Sequence, residues 1–268
     1  MILYFLFVMF SSQFGLDHTL YNYGSGSGAP YSDMNGFEPY IFRLVWYKLY
    51  WGSFAVLLSL ISNLFWNRGL TGNFKSRSIT AKSRLTPAMK NGLLVFTICF
   101  IGFGSFIFYN TNILNEYHRS VYWEKKSANY EKTYKKYKGL PKPKITSVSG
   151  EIHLYPQEAK VEFNGIYRMK NKTGTNIDTI HSNFNRRAPY TVYEWSRPYE
   201  LAFTDSTYGW NIFIFDPPIL PGDEFSLEFS GSRKRTGFSN NGVNRTVIEN
   251  GTLIWSGDLF PTFGYNSS

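Results

Sequence analysis

The sequence has 268 residues, a formal net charge of +9, 19% aromatic and 18% charged residues, and one cysteine. Because Cys99 is alone, an intrachain disulfide and a cysteine-based metal site are excluded. The basic excess is not concentrated on one folded domain, which excludes a plain nucleic-acid-binding domain. This balance is typical of a chain that is part membrane protein and part β-rich domain.

Three apolar runs lie in the N-terminal part of the chain. The first is about ten residues long and lacks the basic start of a signal peptide, so we interpret residues 1–11 as the end of a partial span. Residues 42–66 and 91–109 are longer, and the uncharged third run rises about 28 Å as a helix, close to the hydrocarbon thickness. The sequence thus predicts two to three transmembrane helices. Arg43 and Lys48 are expected to reach the interface or to face a protein partner.

The charges of the loops predict the direction of these spans. Residues 12–39 contain acidic but no basic side chains, whereas the loop 68–90 contains no acidic side chain. The basic residues of that loop are Arg68, Lys75, Arg77, Lys82, Arg84 and Lys90. The positive-inside rule places this loop in the cytoplasm and everything after residue 109 outside. Nucleic acid or a cytoplasmic protein could also bind the loop, but topology and anionic lipid explain it, and we expect no nucleic-acid partner. We therefore expect a multi-pass protein of a bacterial inner (cytoplasmic) membrane.

Residues 110–143 are interpreted as a helical stalk with a proline linker. Apolar and aromatic side chains recur at helical spacing, which predicts a helix that continues out of the bilayer with one aromatic stripe. Its charged faces are interpreted as solvated rather than as a binding site. The stripe residues are Leu114, Tyr117, Val121, Tyr130, Tyr134 and Tyr137, and the terminating residues are Gly139, Pro141 and Pro143.

Residues 144–268 are predicted to form an extracytoplasmic β-domain. Val148, Ile152 and Leu154 alternate with polar residues, and a second alternating run covers residues 161–169, so two antiparallel strands with one buried face are expected. The stretches WNIFIFD and EFSLEFSG predict further strands, and a hairpin is expected with Asn250-Gly251 at its tip. The predicted fold class is an α+β membrane protein with transmembrane helices, a helical stalk and an antiparallel β-sandwich or saddle-like sheet.

Two groups of side chains invite a binding hypothesis. His153 and His181 lack a second ligand at a recognisable spacing, so they are interpreted as surface histidines. A run of aromatic residues in an apparently irregular stretch could stack on a ligand, although core packing is the favoured interpretation. These residues are Tyr190, Tyr193, Trp195, Tyr199, Tyr208 and Trp210.

Several stretches in a fixed order resemble a bacterial membrane protein family. They are YNTNILNEY, ANYEKTYKKYKGLPKPKIT, EIHLYPQEAKVEFNGIYRMKNKT, LPGDEFSLEF and VIENGTLIWSGDLFPTFGY. In that family an ABC-transporter-like permease region is fused to an extracytoplasmic zinc aminopeptidase of the aminopeptidase N type. The resemblance covers nearly the whole chain, and it implies the last permease helices, a stalk and the N-terminal β-domain that precedes a thermolysin-like zinc domain.

The chain differs from the family in its catalytic motifs. Family catalysis uses H-E-x-x-H on a helix for zinc and G-x-M-E-N for the amino terminus of the substrate, and neither motif is in the sequence. The four histidines, His18, His118, His153 and His181, are followed by Thr, Arg, Leu and Ser. No catalytic, cofactor-binding or metal-binding residue can therefore be assigned. We expect neither bound metal nor turnover from this chain, although zinc serves the parent family.

Three functional hypotheses follow. The chain is a membrane-anchored fragment of a permease and aminopeptidase N-type protein, truncated before the catalytic domain, and its non-catalytic β-domain packs against a zinc peptidase domain. Alternatively, it is a self-contained, membrane-tethered binding or scaffold protein that holds a protein or glycan. The third hypothesis is a transporter permease subunit that depends on an ABC ATPase partner. The expected partners are therefore the lipid bilayer, an ATPase subunit and a peptidase domain.

Overall fold

The computed structural model describes residues 10, 15–24, 28–66, 73–186, 188–240, 242–243 and 246–267. The chain divides into two compact units, one of Met1–Arg119 with Gly237–Val243 and the other of Ser120–Thr236 with Asn244–Ser268. We call them the helical unit and the β-unit. The predicted first span, residues 1–11, lies outside the described residues except for Phe10.

The described residues from 28 to 108 in the helical unit form three α-helices. They are α1 (Glu38–Phe65), α2 (Phe74–Ser83) and α3 (Pro87–Phe108), and a π-helix (Tyr109–Leu114) continues α3. Pro39 and Pro87 lie in the first turns of α1 and α3, where a missing backbone N–H costs no helical hydrogen bond. The helices Glu38–Phe65 and Pro87–Leu114 are long and apolar enough to cross a membrane. Their positions agree with the predicted runs 42–66 and 91–109.

Aromatic rings fill the contact between α1 and α3. Tyr50 stacks on Phe100 with 4.5 Å between ring centroids, and Trp46 lies 4.0 Å from Phe106. A Cβ at Gly104 would lie 3.0 Å from the Tyr50 ring, so the glycine permits this close approach. The two helices therefore pack directly against each other.

The helix predicted to run unbroken through the stalk is in fact interrupted. The π-helix ends at Leu114, Glu116 has a φ of 43°, and α4 (Ser120–Tyr134) begins as a separate helix. The Asn115 side chain donates to the carbonyl oxygen of Asn110 at 2.9 Å, which satisfies the backbone locally and competes with further helical turns. A pattern of apolar spacing does not register such competition.

The described residues of the β-unit form eight strands in two antiparallel sheets. In chain order the strands are β1 (Lys144–Tyr155), β2 (Lys160–Lys170), β3 (Ile177–Asn183), β4 (Tyr190–Trp195), β5 (Tyr199–Asp205), β6 (Trp210–Ile219), β7 (Glu224–Lys234) and β8 (Thr262–Phe263). One sheet has the order β1-β2-β7-β4 and the other β5-β6-β3-β8. A short helix, α5 (Ser256–Leu259), precedes β8. The α+β class with antiparallel sheets is thus confirmed.

The core of the β-unit lies between the two sheets. Buried side chains of β2 and β7 face buried side chains of β3 and β6, and Phe229, Leu227 and Phe213 are at most 3% exposed. The predicted inward positions of β7 are confirmed. Gly165 is required in β2 because an added Cβ would lie 2.5 Å from the Phe229 ring. The hairpin predicted at Asn250-Gly251 is wrong, since the described residues of 246–255 contain no strand.

Helix α4 packs on the outer face of the second sheet. Tyr134 is 2% exposed, and its ring stacks on the buried Trp210 with 4.4 Å between centroids. The Tyr134 hydroxyl donates to Asp205 Oδ2 at 2.5 Å. After α4 a 3-10 turn brings the Tyr137 ring to 4.4 Å from His181. The predicted stripe is therefore not continuous, since Leu114 and Tyr117 precede α4, but its members Tyr130, Tyr134 and Tyr137 are packed within the β-unit.

Candidate functional site

Strand β1 lies at the edge of its sheet with its apolar side chains uncovered. Val148, Ile152 and Leu154 stand opposite the β2 residues Tyr167, Phe163 and Val161, all of which are buried. Directly opposed residues of an antiparallel pair project from the same face of a sheet. The three aliphatic side chains are therefore on the core side of the sheet.

These side chains remain exposed although they lie on the core side. Val148 is 53% exposed, Ile152 47% and Leu154 43%. The prediction that this alternating strand is buried on one face is thus wrong for β1, all of whose residues are exposed. The core is formed by residues of the second sheet that pack with residues of β2, β4 and β7, and no residue of β1 belongs to it. Burial depends on what lies opposite a strand, and alternation alone does not specify this.

The segment 246–260 lies beside β1. Gln157, in the turn after β1, donates to Glu249 at 3.3 Å, and a Cβ at Gly150 would lie 3.7 Å from the Phe260 ring. In the same segment Leu253 is 64% and Trp255 71% exposed. We call Val148, Ile152 and Leu154 the β1 face.

The two histidines of the β-unit lie apart and differ in environment. His153 is exposed, with Nε2 3.8 Å from Glu151 Oε2, as expected for a surface histidine. His181 is buried beneath Tyr137, so its interpretation as a surface residue is wrong, and burial lowers its pKa. Among the described residues no three His, Cys, Asp or Glu side chains are grouped so that they could hold a metal ion.

The run of aromatic residues from 190 to 210 is mostly core. It is not irregular, since it covers β4, β5 and the start of β6. Trp195 and Trp210 are buried, and Tyr193 stacks on Phe213 with 5.4 Å between centroids. Core packing is therefore the correct interpretation of these residues. Tyr208 differs, because it lines a pocket.

That pocket is an open depression of about 410 Å³ in the β-unit. The Lys126 ammonium lies 5.5 Å from the Trp123 ring centroid and 5.7 Å from that of Tyr208. Trp123 is 44% exposed. The lining consists of Trp123, Lys126, Ser127, Tyr130, Asn183, Tyr208, Asn266 and Ser267.

In the helical unit, Phe238 and Asn240 lie against α1. Arg43 is 1% exposed, donates to the carbonyl oxygen of Asn240 and lies 5.1 Å from the Tyr47 ring centroid. Phe238 is also buried, against Tyr47 and Ile107. The sequence predicts Arg43 at the interface or toward a protein partner, whereas the structure buries it against Asn240, 197 positions later, a contact that leaves no periodic signal in the chain.

A buried histidine lies in the same unit. The Leu20 N–H donates to His18 Nδ1 at 3.1 Å, so Nε2 carries the hydrogen that is donated to Thr111 Oγ1 at 3.1 Å. Burial lowers the pKa of His18 to about 4; nearby Asp17 opposes this shift and Arg43 adds to it. His18 is therefore neutral at pH 7 and has a structural role.

No protein family and no curated protein matches the sequence. Among solved structures, a mutant of a two-domain M1 zinc metallopeptidase bound to L-tryptophan matches 36% of the chain with 11% identity and a TM-score of 0.28. A mutant M1 zinc metallopeptidase from Deinococcus radiodurans matches 37% of the chain with 12% identity and a TM-score of 0.27. The matched parts cover 21% and 24% of those two chains.

Proposed function

We propose that the chain is the membrane-anchored, non-catalytic part of a permease and aminopeptidase N-type protein, and that its β1 face docks a zinc peptidase domain. The two apolar helices are the anchor in the inner membrane, and the β-unit lies on the extracytoplasmic side. The exposed core side of β1 carries this proposal. The ordered resemblance of the sequence stretches supports the identity of the partner domain.

The β1 face has the chemistry of a docking surface. Exposed aliphatic side chains on an otherwise buried side of a sheet are unusual for an isolated domain, and larger apolar patches mark interaction sites. Burial of the exposed halves of Val148, Ile152 and Leu154 contributes about 1 kcal/mol each, or about 100-fold in affinity together. The face contains no charge, so it suits an apolar partner surface.

The first test is genetic. The DNA after the Ser268 codon is sequenced, and the expected result is an open frame that encodes H-E-x-x-H. If neither that frame nor a separate neighbouring gene encodes such a domain, the peptidase part of the proposal is refuted.

The second test measures docking. The peptidase domain is expressed as a separate polypeptide, and its affinity for the full chain in detergent is measured. Ile152→Asp is expected to weaken the complex about 100-fold, because a carboxylate would be buried without a partner. The matched control is Ile166→Asp, since Ile166 is 44% exposed but stands opposite Ser149 on the other face of the sheet. Equal affinity of both variants and the wild type would refute the β1 face as the docking surface.

The proposed topology has its own test. Protease added to intact spheroplasts is expected to digest the β-unit and to spare a tag inserted near Lys82. The reverse pattern would show that the topology is inverted.

The aromatic pocket favours a second candidate function, a membrane-tethered module that binds a saccharide. In this candidate Trp123 contacts a sugar ring at the mouth of the pocket, and Asn183 and Asn266 bind its hydroxyl groups. Chito-oligosaccharides titrated into the full chain are then expected to quench tryptophan fluorescence in the wild type and in Trp255→Ala, but not in Trp123→Ala. Absence of saturable quenching in the wild type would refute this candidate.

A further inference from the structure

The short helix α2 is fastened at both ends to one end of α1. The Phe74 ring stacks on the Phe65 ring with 6.4 Å between centroids and 15° between planes. Arg84, which follows α2, donates to the carbonyl oxygens of Asn63, at 3.1 Å, and of Trp66. Carbonyls at a helix C-terminus lack helical partners, and a cation there also complements the helix dipole. The position of α2 therefore follows that of the end of α1.

This end of α1 lies at the level of the lipid headgroups if the proposed anchorage is correct. The 28 residues of α1 rise about 42 Å at 1.5 Å each, which exceeds the roughly 30 Å of hydrocarbon. The excess places the helix ends in the headgroup region. Because α2 is attached to that end, it lies at the depth of the headgroups.

One exposed face of α2 combines cations with an apolar side chain. Lys75, Ile79 and Lys82 follow the i, i+4, i+7 spacing and so share a face. Ile79 is 64% exposed, and both lysines are exposed. In the described part of the chain, which contains every Asp and Glu of the sequence, neither lysine lies within 4.0 Å of a carboxylate oxygen. We call these three residues the α2 face.

We infer that the α2 face binds the phosphate groups of anionic phospholipids, an inference that rests on the proposed membrane anchorage. Lys75 and Lys82 pair with headgroup phosphates while Ile79 enters the boundary of the acyl chains, the arrangement of interfacial amphipathic helices. The loop 68–90, which contains α2, has no acidic residue, so no negative charge of the loop opposes its attraction to an anionic leaflet. The exposed Ile79 and Phe74 favour lipid over nucleic acid, which offers phosphates but no apolar phase.

The test titrates acyl-labelled phosphatidylglycerol into the detergent-solubilised full chain, with phosphatidylcholine as the comparison lipid. The double variant Lys75→Gln/Lys82→Gln is expected to weaken phosphatidylglycerol binding about 25-fold. This value follows because each cation near an anionic surface contributes about fivefold to the affinity. Phosphatidylcholine binding is expected to stay unchanged. The matched control is Lys125→Gln/Lys132→Gln on α4, which removes two exposed lysines at the same spacing.

Four results would overturn the inference. In the lipid titration, these are an equal loss of affinity in the control variant and no preference of the wild type for phosphatidylglycerol. The third is full competition by millimolar inorganic phosphate. The fourth is RNA binding by the wild type that the α2 double variant abolishes while its lipid binding persists. Carbonate extraction of membranes separates this inference from the proposed anchorage. If the wild type and both variants stay in the membrane, the anchorage holds and the titration alone decides the role of the α2 face. If the wild type is extracted, the anchorage fails and the inference with it.

Discussion

Tyr134 provides a quantitative test of whether α4 packs within the β-unit. Tyr134→Phe keeps the ring and removes the hydroxyl that donates to Asp205 Oδ2 at 2.5 Å. A hydrogen bond to a charged group contributes about 1.5–3 kcal/mol. Asp205 Oδ1 still accepts from the Thr207 N–H at 2.7 Å, and Asp205 is only half-buried, so water can replace the lost donor. We therefore expect a loss of about 1–1.5 kcal/mol in the free energy of unfolding.

Tyr134→Ala removes the ring as well. The ring is 2% exposed and stacks on Trp210, which is fully buried, so its removal leaves a cavity against a rigid surface. Truncation of a buried aromatic side chain costs about 3–5 kcal/mol, and we expect about 4 kcal/mol here. Tyr122→Ala is the control on the same helix, because Tyr122 is 39% exposed and a surface substitution changes stability by about 0.5 kcal/mol or less.

The assay is urea unfolding of the full chain in a mild detergent, which keeps the apolar helices in the micelle. Tryptophan fluorescence follows the β-unit, since Trp195 and Trp210 are buried there. The expected order of midpoints is wild type and Tyr122→Ala, then Tyr134→Phe, then Tyr134→Ala. If Tyr134→Ala unfolds at the wild-type midpoint, α4 is a solvated stalk and its packing against Trp210 is refuted.

Two further predictions concern one residue in each unit. In the same urea titration, Gly165→Ala is expected to destabilise the β-unit by about 1–3 kcal/mol, because the new Cβ would meet the Phe229 ring at 2.5 Å. The control is Gly174→Ala, which is expected to change the stability little because no atom lies within 4 Å of its Cβ. His18 has a folded-state pKa of about 4, below the 6.5 of an unfolded histidine, so the unfolded state binds more protons between these values. The thermal stability of the helical unit is therefore expected to fall as the pH is lowered from 6.5 to 4. The variant His18→Gln is expected to lose this dependence, and an unchanged pH profile in that variant would contradict the assignment of the effect to His18.

The sequence by itself determined the type and order of most elements. The apolar runs 42–66 and 91–109 are long enough that only helices of membrane-spanning length fit them, and α1 and α3 lie there. Period-two alternation fixed β2 and β7 because each side chain of a strand must project to one of two faces. These features depend on local repetition, which the sequence displays directly.

Only the tertiary structure decided which faces are covered. Val148, Ile152 and Leu154 alternate as regularly as the residues of β2, yet they stay exposed because the members of the second sheet pack against β2, β4 and β7. Tyr134 and His181 are buried because α4 and the turn after it lie against β3 and β6. Arg43 is buried where Asn240, almost 200 positions later, accepts its hydrogen bond. Periodicity states that a side chain points to one side of its element. The long-range packing of other elements determines whether that side meets a core, a partner or solvent.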